Sequence, residues 1–470
     1  MLPLASLGGD VMASLGGAWL EPRIARVLQG FKSTLTDVSD EEFDELSMRL
    51  IVERPEALIK KIPPDDILTQ TEVGQFEREC AMPVSDAKCG SSRLVIVLKA
   101  TRLCNLRCVY CNAWAEGPDQ TMTFPVLVRA VRRLLAPADI RHVEFVWHGG
   151  EIGMLKPKFF AKLIWLQEQF ARPGLRITNS LQTNATRLSD EWVEFMKFNR
   201  LGIGVSIDGP PEIQDRRRPT ADGEPSSRQV AAGIAKLNAA GIQSYGALVV
   251  IDRETAGVDP EALLDYFVSI GLVGVNFLNY VPSNETLEAG APDPQYMGYR
   301  EFCAWSVNVY KVYREIFRSR IKVRMFEDLI TAIHGQTHPR NCYFAGNCIE
   351  WVYTLEPNGD LSPCDKFIGT QGSVYGNIMG AELGEILSRS QFHRQTKIAA
   401  TAEASASVEC KWFSVCRGAC PHDRRASVVL DPEFRGECCG LSSLLDLIAS
   451  EEEAVDTAKT AAVATALSCA

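Results

Sequence analysis

Hydrophobic residues between positions 94 and 281 fall into six short runs, separated by longer stretches in which apolar and polar residues follow a helical spacing. Short apolar runs bounded by glycine or polar residues predict buried strands, here at 94–100, 142–148, 175–183, 202–208, 244–251 and 274–281. The intervening stretches predict helices over 124–136, 156–170, 189–199, 227–241 and 259–271. Ser189, followed by two acidic residues, predicts a helix N-cap, whereas Gly241 and Gly271 predict helix ends.

Single helices between successive strands predict right-handed β-α-β units and a parallel sheet. No Gly-x-Gly-x-x-Gly sequence follows the first strand, which disfavours a doubly wound nucleotide-binding fold. Polar residues collect instead at the ends of several strands, which is typical of sites at the mouth of a β/α barrel. The pattern therefore predicts an α/β protein built on an open or partial (β/α)6 barrel over residues 93–295.

The segments outside the barrel have other patterns. Residues 1–92 show helical spacing and predict either a module that captures a leader peptide or an extra helical layer over the barrel. Residues 296–340 predict two connecting helices with a short strand at 321–326 between them. Residues after 445 predict a helical tail that reaches position 470.

A cysteine-rich domain is predicted over residues 341–445, where the regular spacing of apolar residues fades. Trp351 to Leu355 form a short strand signal, followed by Asn358-Gly359 and then Leu361. An Asn-Gly pair between two such signals predicts a β-hairpin. The hairpin would bring the cysteines on its two sides close together.

The 470 residues are 46% apolar and 23% charged, a composition typical of a folded protein with two or three domains. A net charge of −10, from 59 acidic and 49 basic residues, argues against a general nucleic-acid binder. No apolar run reaches the roughly 18 to 20 residues that span a bilayer, and the N-terminal residues lack the basic region of a secretory signal. These features predict a cytoplasmic protein that binds neither nucleic acid nor membrane.

Fifteen cysteines in a large chain without an export signal are more typical of metal binding than of disulfides. Cys104, Cys108 and Cys111 lie close together directly after the first strand. Thiolates suit iron–sulfur clusters or zinc. Three local ligands are one short of the four that close a structural site, so one metal position stays open for a small molecule. Taken alone, the triplet also fits a zinc loop with a distant fourth ligand.

The triplet, with Tyr110 before its last cysteine, resembles the signature of the radical S-adenosylmethionine (radical SAM) superfamily. His148-Gly149-Gly150-Glu151, at the end of the second strand, is similar to the Gly-Gly-Glu element of that family. Residues 180–184 and 205–211 resemble the third and fourth strand ends of the subgroup with anaerobic sulfatase-maturating enzymes and radical SAM peptide maturases. The likeness runs from about residue 94 to 440.

The resemblance implies a [4Fe–4S] cluster that binds S-adenosylmethionine, whose reductive cleavage gives a 5′-deoxyadenosyl radical. It also implies an external electron donor such as flavodoxin or ferredoxin. Glu151 would accept a hydrogen bond from the ammonium group of the cofactor, and Ser206 and Arg218 would contact its ribose or carboxylate. The glycines would let the backbone approach the ligand. The predicted cofactor-binding residues are Gly149, Gly150, Glu151, Ser206, Arg218, Gln182, His148 and Tyr110.

The C-terminal segment resembles a SPASM domain, which carries two auxiliary [4Fe–4S] clusters. The resemblance assigns Cys342, Cys348, Cys364 and Cys420 to the first auxiliary cluster. It assigns Cys410 and Cys416, with Cys438 or Cys439, to the second. Ser407 stands where the family has a further cysteine, so the adjacent Cys438-Cys439 pair, a non-cysteine ligand or an open iron would complete that site. Zinc knuckles are the alternative for these later cysteines.

Asp365, directly after Cys364, occupies the place of the aspartate that acts as a base in sulfatase-maturating enzymes, and we predict a similar role here. In those enzymes an aromatic pair follows the third cysteine of the triplet, whereas this chain has Asn112-Ala113. The leading hypothesis is a radical SAM oxidoreductase that crosslinks or oxidises a side chain of a ribosomally synthesised peptide. The alternatives are an anaerobic sulfatase-maturating enzyme and, from another class, an iron–sulfur redox sensor that uses no radical.

Overall fold

A computed structural model describes residues 17–451, except for 36–37, 84, 86–87, 243–244, 336–338, 340, 368–369, 371, 432 and 435–439. Its strands are β1 (Arg93–Thr101), β2 (His142–Gly149), β3 (Arg176–Thr183), β4 (Gly202–Ser206), β5 (Tyr245–Ile251), β6 (Gly274–Asn279), β7 (Lys322–Val323), β8 (Val352–Leu355), β9 (Asp360–Ser362) and β10 (Gly376–Asn377). They form one sheet in the order β10-β9-β8-β1-β2-β3-β4-β5-β6-β7. Strands β1 to β6 are therefore neighbours in chain order, as an open β/α barrel requires.

The helices that precede and accompany the barrel are α1 (Gly17–Lys32), α2 (Asp40–Glu53), α3 (Pro55–Lys60), α4 (Pro64–Ile67), α5 (Gln70–Ala81), α6 (Phe124–Leu135), α7 (Pro157–Phe170), α8 (Asp190–Phe198), α9 (Pro211–Arg217), α10 (Ser227–Ala239), α11 (Arg253–Ala256) and α12 (Pro260–Ser269). Those that follow it are α13 (Asn284–Glu288), α14 (Tyr299–Val312), α15 (Arg324–Ile333), α16 (Leu383–Arg389), α17 (Gln391–Ser405), α18 (Phe413–Cys416), α19 (Pro421–Leu430) and a last helix at 442–451.

The predicted α/β fold class is confirmed. Each strand from β1 to β6 pairs with the next in parallel, and the pairs from β1 to β8 and from β6 to β7 are parallel as well. The five predicted barrel helices are present as α6, α7, α8, α10 and α12. Ser189 caps α8 by accepting a hydrogen bond from the Trp192 N–H. Gly241 and Gly271 have φ values of 71° and 82° just after their helices, which is the left-handed region that favours glycine.

The N-terminal helices α1 to α5 lie on the outer helices of the barrel. The Trp165 Nε1–H of α7 donates to the Ile62 carbonyl at 3.0 Å, and Lys162 of the same helix pairs with Glu72 of α5. The Phe76 ring packs edge-on against Trp165, with 4.9 Å between ring centroids. The described part of this segment therefore forms an extra helical layer over the barrel.

The two faces of β1 pack against different partners because side chains alternate along a strand. Leu94, Ile96, Leu98 and Ala100 belong to the main apolar core, which fills the space between the sheet and the helices. Val95 and Val97 face the other way and pack with residues of the cysteine-rich segment. The inner face of the barrel is therefore covered by the C-terminal part of the chain.

The cysteine-rich segment joins the barrel through its hairpin. Strand β8 lies parallel to β1, and β9 returns antiparallel to β8, so the predicted hairpin is present. Its turn is closed by a hydrogen bond from the Gly359 N–H to the Glu356 carbonyl, with Gly359 at a φ of 90°. This pairing extends the sheet beyond the six strands that the sequence predicted.

Two further predictions concern the connecting and terminal segments. The strand predicted at 321–326 is wrong in its second half, because α15 begins at Arg324 and buries Met325, Phe326, Leu329 and Ile330 at helical spacing. The predicted tail is helical over 442–451, and its remaining residues lie outside the described ones. Within the described ranges, no helix is both long and apolar enough to cross a lipid bilayer.

Candidate active site

One cavity opens at the carboxyl ends of the barrel strands and extends to the cysteine-rich segment. Its volume is about 300 Å³, at the lower end of the range of small-molecule sites. Parallel strands bring their carboxyl ends to one edge of the sheet, so residues distant in sequence meet there. The cavity is lined by Cys104, Cys108, Tyr110, Cys111, His148, Gly149, Gly150, Glu151, Gln182, Ser206, Arg218 and Asp365, which were all predicted to be site residues.

Backbone hydrogen bonds hold the loop of the three cysteines against the segment after α9. Leu106 and Thr220 form an isolated antiparallel bridge. The Arg107 N–H donates to the Pro219 carbonyl at 2.8 Å, and the Val109 N–H donates to the Arg217 carbonyl at 2.9 Å. The loop is therefore fixed by main-chain contacts on both sides of Cys108.

The three thiols are partly buried and interact electrostatically. Burial raises the pKa of Cys104 to about 11 and that of Cys108 to about 12, and the charge of Cys111 contributes to both shifts. Yet no three Cys, His, Asp or Glu side chains in the described part of the chain meet closely enough to hold a single metal ion. Thiolates that bind different irons of one cluster are spaced more widely than ligands of one zinc ion. Among the described residues, the three-cysteine loop is therefore not arranged as a closed site for one ion.

The two glycines of the Gly-Gly-Glu element lie against the backbone segment that leads into Cys104. A Cβ on Gly149 would lie 1.9 Å from the Thr101 carbonyl oxygen, and one on Gly150 would lie 2.2 Å from that of Leu103. The Gly150 N–H donates to the Thr101 carbonyl at 2.8 Å. The sequence prediction had attributed both glycines to the approach of a ligand, but the backbone they touch in the structure is the one that leads into Cys104.

Substitution of Gly150 by alanine is expected to lower the free energy of unfolding by about 1–3 kcal/mol, because the added methyl group must displace the backbone at Leu103. Denaturant unfolding of the two proteins measures this difference. Gly30→Ala is the matched control, since that exposed helical glycine has nothing within 4 Å of the added carbon. Equal unfolding midpoints for Gly150→Ala and wild type would contradict the packing described.

Glu151 lies at the bottom of the cavity, where it is 2% exposed. Its carboxylate accepts hydrogen bonds from the Gly153 N–H at 2.9 Å, the Thr183 hydroxyl at 2.7 Å and the Asn184 N–H at 2.7 Å. Burial nevertheless raises its pKa. A carboxylate has about four acceptor positions, so one remains for a cationic group in the cavity.

A buried ionic cluster joins the cysteine loop to the end of β4. The Tyr110 hydroxyl donates to Asp208 at 2.7 Å and accepts from Arg218 Nη1 at 2.5 Å. Arg217 pairs with both Asp208 and Asp252. Arg218 is 8% exposed, and its Nε has no hydrogen-bond partner in the described structure, so a donor at the cavity wall is left for a carboxylate.

The remaining predicted cofactor-binding residues are held in place by hydrogen bonds to neighbouring residues. Gln182 Nε2 donates to the Ser206 hydroxyl at 2.6 Å, which fixes both side chains at the ends of adjacent strands. His148 Nδ1 accepts a hydrogen bond from the Gly149 N–H at 2.8 Å, so its proton is carried by Nε2 in the neutral ring. Burial lowers the pKa of His148, while the nearby Asp365 carboxylate acts in the opposite direction.

The four cysteines assigned to the first auxiliary cluster gather beside the same cavity. Burial raises the pKa of each, and the charges of Cys342 and Cys348 act on Cys364, while those of Cys342 and Cys420 act on Cys348. They are thus close neighbours, although they are too far apart to share one ion. Four thiolates are the number that a closed [4Fe–4S] cluster requires.

Asp365 lies in the cavity wall, directly after Cys364. Burial acts to raise its pKa, but His148, Lys99, a hydrogen bond from the Cys364 thiol and Lys366 outweigh this effect and hold the pKa below its usual range. A carboxylate that is ionised at neutral pH is able to accept a proton from a bound substrate.

The structure describes two of the cysteines assigned to the second auxiliary cluster. Cys410 is partly exposed and Cys416 is buried in the main core, and neither lines the cavity, while Cys438 and Cys439 lie outside the described residues. The Ser407 hydroxyl donates to the Ala404 carbonyl at 3.0 Å and accepts from Arg424 at 3.4 Å. Ser407 therefore has its hydrogen bonds within the protein, which argues against it as the missing ligand.

Sequence reasoning missed several residues of the site. Asp208 lies inside the motif at 205–211, but only its contact with Tyr110 shows its role. Lys366 Nζ donates to Asp423 at 2.7 Å, and these residues follow Cys364 and Cys420, two of the cysteines assigned to the first auxiliary cluster. Lys99 lies within an apolar run, where its charge could have been noticed as an exception to the pattern.

Comparison with known proteins supports the geometry. A family model described as the radical SAM superfamily matches residues 98–266, which include Cys104 to Arg218. The chain is 28% identical over 351 residues to a serine-type anaerobic sulfatase-maturating enzyme of Bacteroides thetaiotaomicron, covering 70% of this chain and 83% of the relative. It is 26% identical over 353 residues to a cysteine-type anaerobic sulfatase-maturating enzyme of Clostridium perfringens, covering 73% and 93%. The fold matches the solved structure of native anSMEcpe with bound AdoMet and Cp18Cys peptide at a TM-score of 0.65 and 24% identity, covering 78% of this chain and 99% of that chain.

Proposed function

We propose that this chain is a radical SAM oxidoreductase that modifies a side chain of a ribosomally synthesised peptide by a crosslink or an oxidation, since residues 98–266 match the radical SAM superfamily model. The observation that carries the proposal is a single cavity lined both by the three-cysteine loop and by Asp365 and Lys366 of the cysteine-rich segment. The three thiols leave a metal position open, and Asp365 directly follows Cys364, one of the four cysteines assigned to the auxiliary cluster. A substrate side chain in this cavity would face the three thiols and the Asp365 carboxylate.

When bound, a [4Fe–4S] cluster at the three-cysteine site, together with S-adenosylmethionine, supplies the radical that removes a hydrogen atom from a substrate carbon. The residues around it would bind and orient S-adenosylmethionine. Glu151 offers its remaining acceptor position to the ammonium group of the methionine moiety, and the free Nε of Arg218 offers a donor to the carboxylate. Gln182 and Ser206 fix the wall beside them.

The auxiliary cluster at Cys342, Cys348, Cys364 and Cys420 would accept the electron that the substrate radical loses. Asp365 would take the proton released in the same oxidation, since its carboxylate lies in the cavity wall next to Cys364. We further propose a low-potential donor such as flavodoxin or ferredoxin and a cytoplasmic setting, where thiols stay reduced.

Asp365→Asn is expected to reduce product formation about 100-fold or more, the usual contribution of a general base, while 5′-deoxyadenosine is still released. Mass spectrometry of the peptide and chromatography of the nucleoside measure the two quantities in one reaction. Asp222→Asn, at an exposed loop position, is the matched control. If Asp365→Asn makes product at the wild-type rate with full iron content, Asp365 is not the base.

Sulfatase maturation is the second candidate, favoured by the position of Asp365 and by the sulfatase-maturating relatives. Against it, Asn112 and Ala113 line the cavity where those enzymes have an aromatic pair. Anaerobic incubation with S-adenosylmethionine, dithionite and either a precursor peptide encoded beside the gene or a sulfatase peptide separates the two. We expect a mass change in the precursor peptide only, and conversion of the sulfatase peptide alone would reverse the assignment.

A further inference from the structure

Lys99 is a fully buried ammonium group that lacks a close partner. It lies on β1 with an exposed fraction of 0%, and its Nζ has no hydrogen-bond partner among the described residues. The nearest carboxylate oxygen in an ion pair with it is Glu356 Oε1, at 3.7 Å. Buried lysines are rare unless they are paired, so the charge of Lys99 calls for a functional explanation.

The carboxylate of Glu356 does not neutralise this charge alone. Its second oxygen lies 3.8 Å from Arg102 Nη1, so two cations share this anion, and the charge of Lys99 also acts on the Asp365 carboxylate. Lys366, the other buried lysine beside the cavity, differs because its Nζ donates directly to Asp423 at 2.7 Å. Lys99 is therefore the one of these two lysines whose ammonium has no hydrogen bond to an anion among the described residues.

Lys99 lies on the face of β1 that packs against two of the four cysteines. Val95 and Val97, on the same face of β1, pack with Cys348, and Cys364 packs against that cluster. Lys99 follows next on this face, and its charge acts on Asp365, the residue after Cys364. A protein interior screens such a charge weakly, so it acts on whatever the thiolates bind.

We propose that Lys99 is a positioning residue that raises the reduction potential of the auxiliary cluster held by Cys342, Cys348, Cys364 and Cys420. Accepting one electron makes a thiolate-bound cluster more negative by one charge, and a fixed cation nearby stabilises that reduced form. Lys99 would thereby favour transfer of the substrate electron without touching the substrate. The inference rests on the proposed function, because it requires a cluster at these four cysteines.

The test is a redox titration with dithionite, followed by electron paramagnetic resonance, of reconstituted protein with Cys104, Cys108 and Cys111 replaced by alanine. The signal that disappears on adding Cys364→Ala identifies the cluster in question. In Lys99→Met we expect the ratio of reduced to oxidised cluster, measured at the wild-type midpoint potential, to fall about tenfold. For a one-electron couple, this corresponds to a midpoint potential lower by about 59 mV. Glu356→Gln should raise the midpoint, and Lys162→Met, which removes a cation of the outer helical layer, should leave it unchanged.

Opposite shifts in Lys99→Met and Glu356→Gln support the inference, whereas unchanged midpoints in both overturn it and leave the proposed function intact. If Lys99→Met cannot hold its cluster, Glu356→Gln decides alone: an upward shift supports the inference and an unchanged midpoint overturns it. Absence of any signal that depends on Cys364 overturns both the inference and the auxiliary-cluster part of the proposed function. Iron analysis distinguishes that outcome from an unaltered potential.

Discussion

Replacement of Cys104 by alanine is expected to reduce 5′-deoxyadenosine formation from S-adenosylmethionine to background. Among the described residues, three cysteines line the cavity, so loss of one removes a ligand that no other thiol of the lining replaces. The iron content of anaerobically reconstituted protein should fall by about four per chain, the content of one cluster. Chromatography of the nucleoside after incubation with dithionite measures the activity.

Cys80→Ala is the matched control for this substitution, since Cys80 is an exposed thiol of the outer helical layer. It should leave both nucleoside formation and iron content unchanged. Equal amounts of 5′-deoxyadenosine from Cys104→Ala and wild type would exclude the three-cysteine site as the origin of the radical. A redox sensor, the alternative of another class, would give no nucleoside even in the wild type.

Replacement of Cys364 by alanine is expected to separate hydrogen abstraction from oxidation of the substrate. The three-cysteine site does not depend on Cys364, so 5′-deoxyadenosine should still form in the presence of the peptide. The oxidised product should fall to background, because the group that accepts the electron lacks one of its four ligands. Mass spectrometry of the peptide, with deuterium at the attacked carbon, follows both steps.

The iron content of Cys364→Ala gives an internal check, since about four irons should be lost relative to wild type. Cys303→Ala, a substitution of a buried thiol in the main core, is the control for packing effects. Normal product yield from Cys364→Ala at reduced iron content would show that the four-cysteine site takes no part in the reaction.

The barrel could be predicted from the sequence because its signals are local. Apolar runs, a cap at Ser189 and glycines at helix ends each depend on a few neighbouring residues, and all are present in the structure. The prediction of a strand at 321–326 was wrong in its second half, where the strand period and the helical period both fit the sequence. Met325, Phe326 and Leu329 lie on one helical face. The resemblance in the motifs then identified the residues that meet at the strand ends.

Contacts between distant segments could not be predicted in the same way. Nothing near β8 in the sequence indicates that it pairs with β1, and that pairing brings Glu356 to Lys99. The contact of Tyr110 with Asp208 likewise joins residues 98 positions apart. Such contacts follow from the closure of the whole sheet, and they decide which charges in the cavity are compensated.

The central claim is that the cluster at Cys104, Cys108 and Cys111 keeps one iron free to bind S-adenosylmethionine. Its most direct test is electron paramagnetic resonance of reduced protein in which Cys342, Cys348, Cys364 and Cys420 are alanine, recorded before and after addition of S-adenosylmethionine. The account predicts that the cofactor changes the signal of this cluster. A signal that the cofactor leaves unchanged, or zinc in place of iron at these three cysteines, would contradict it.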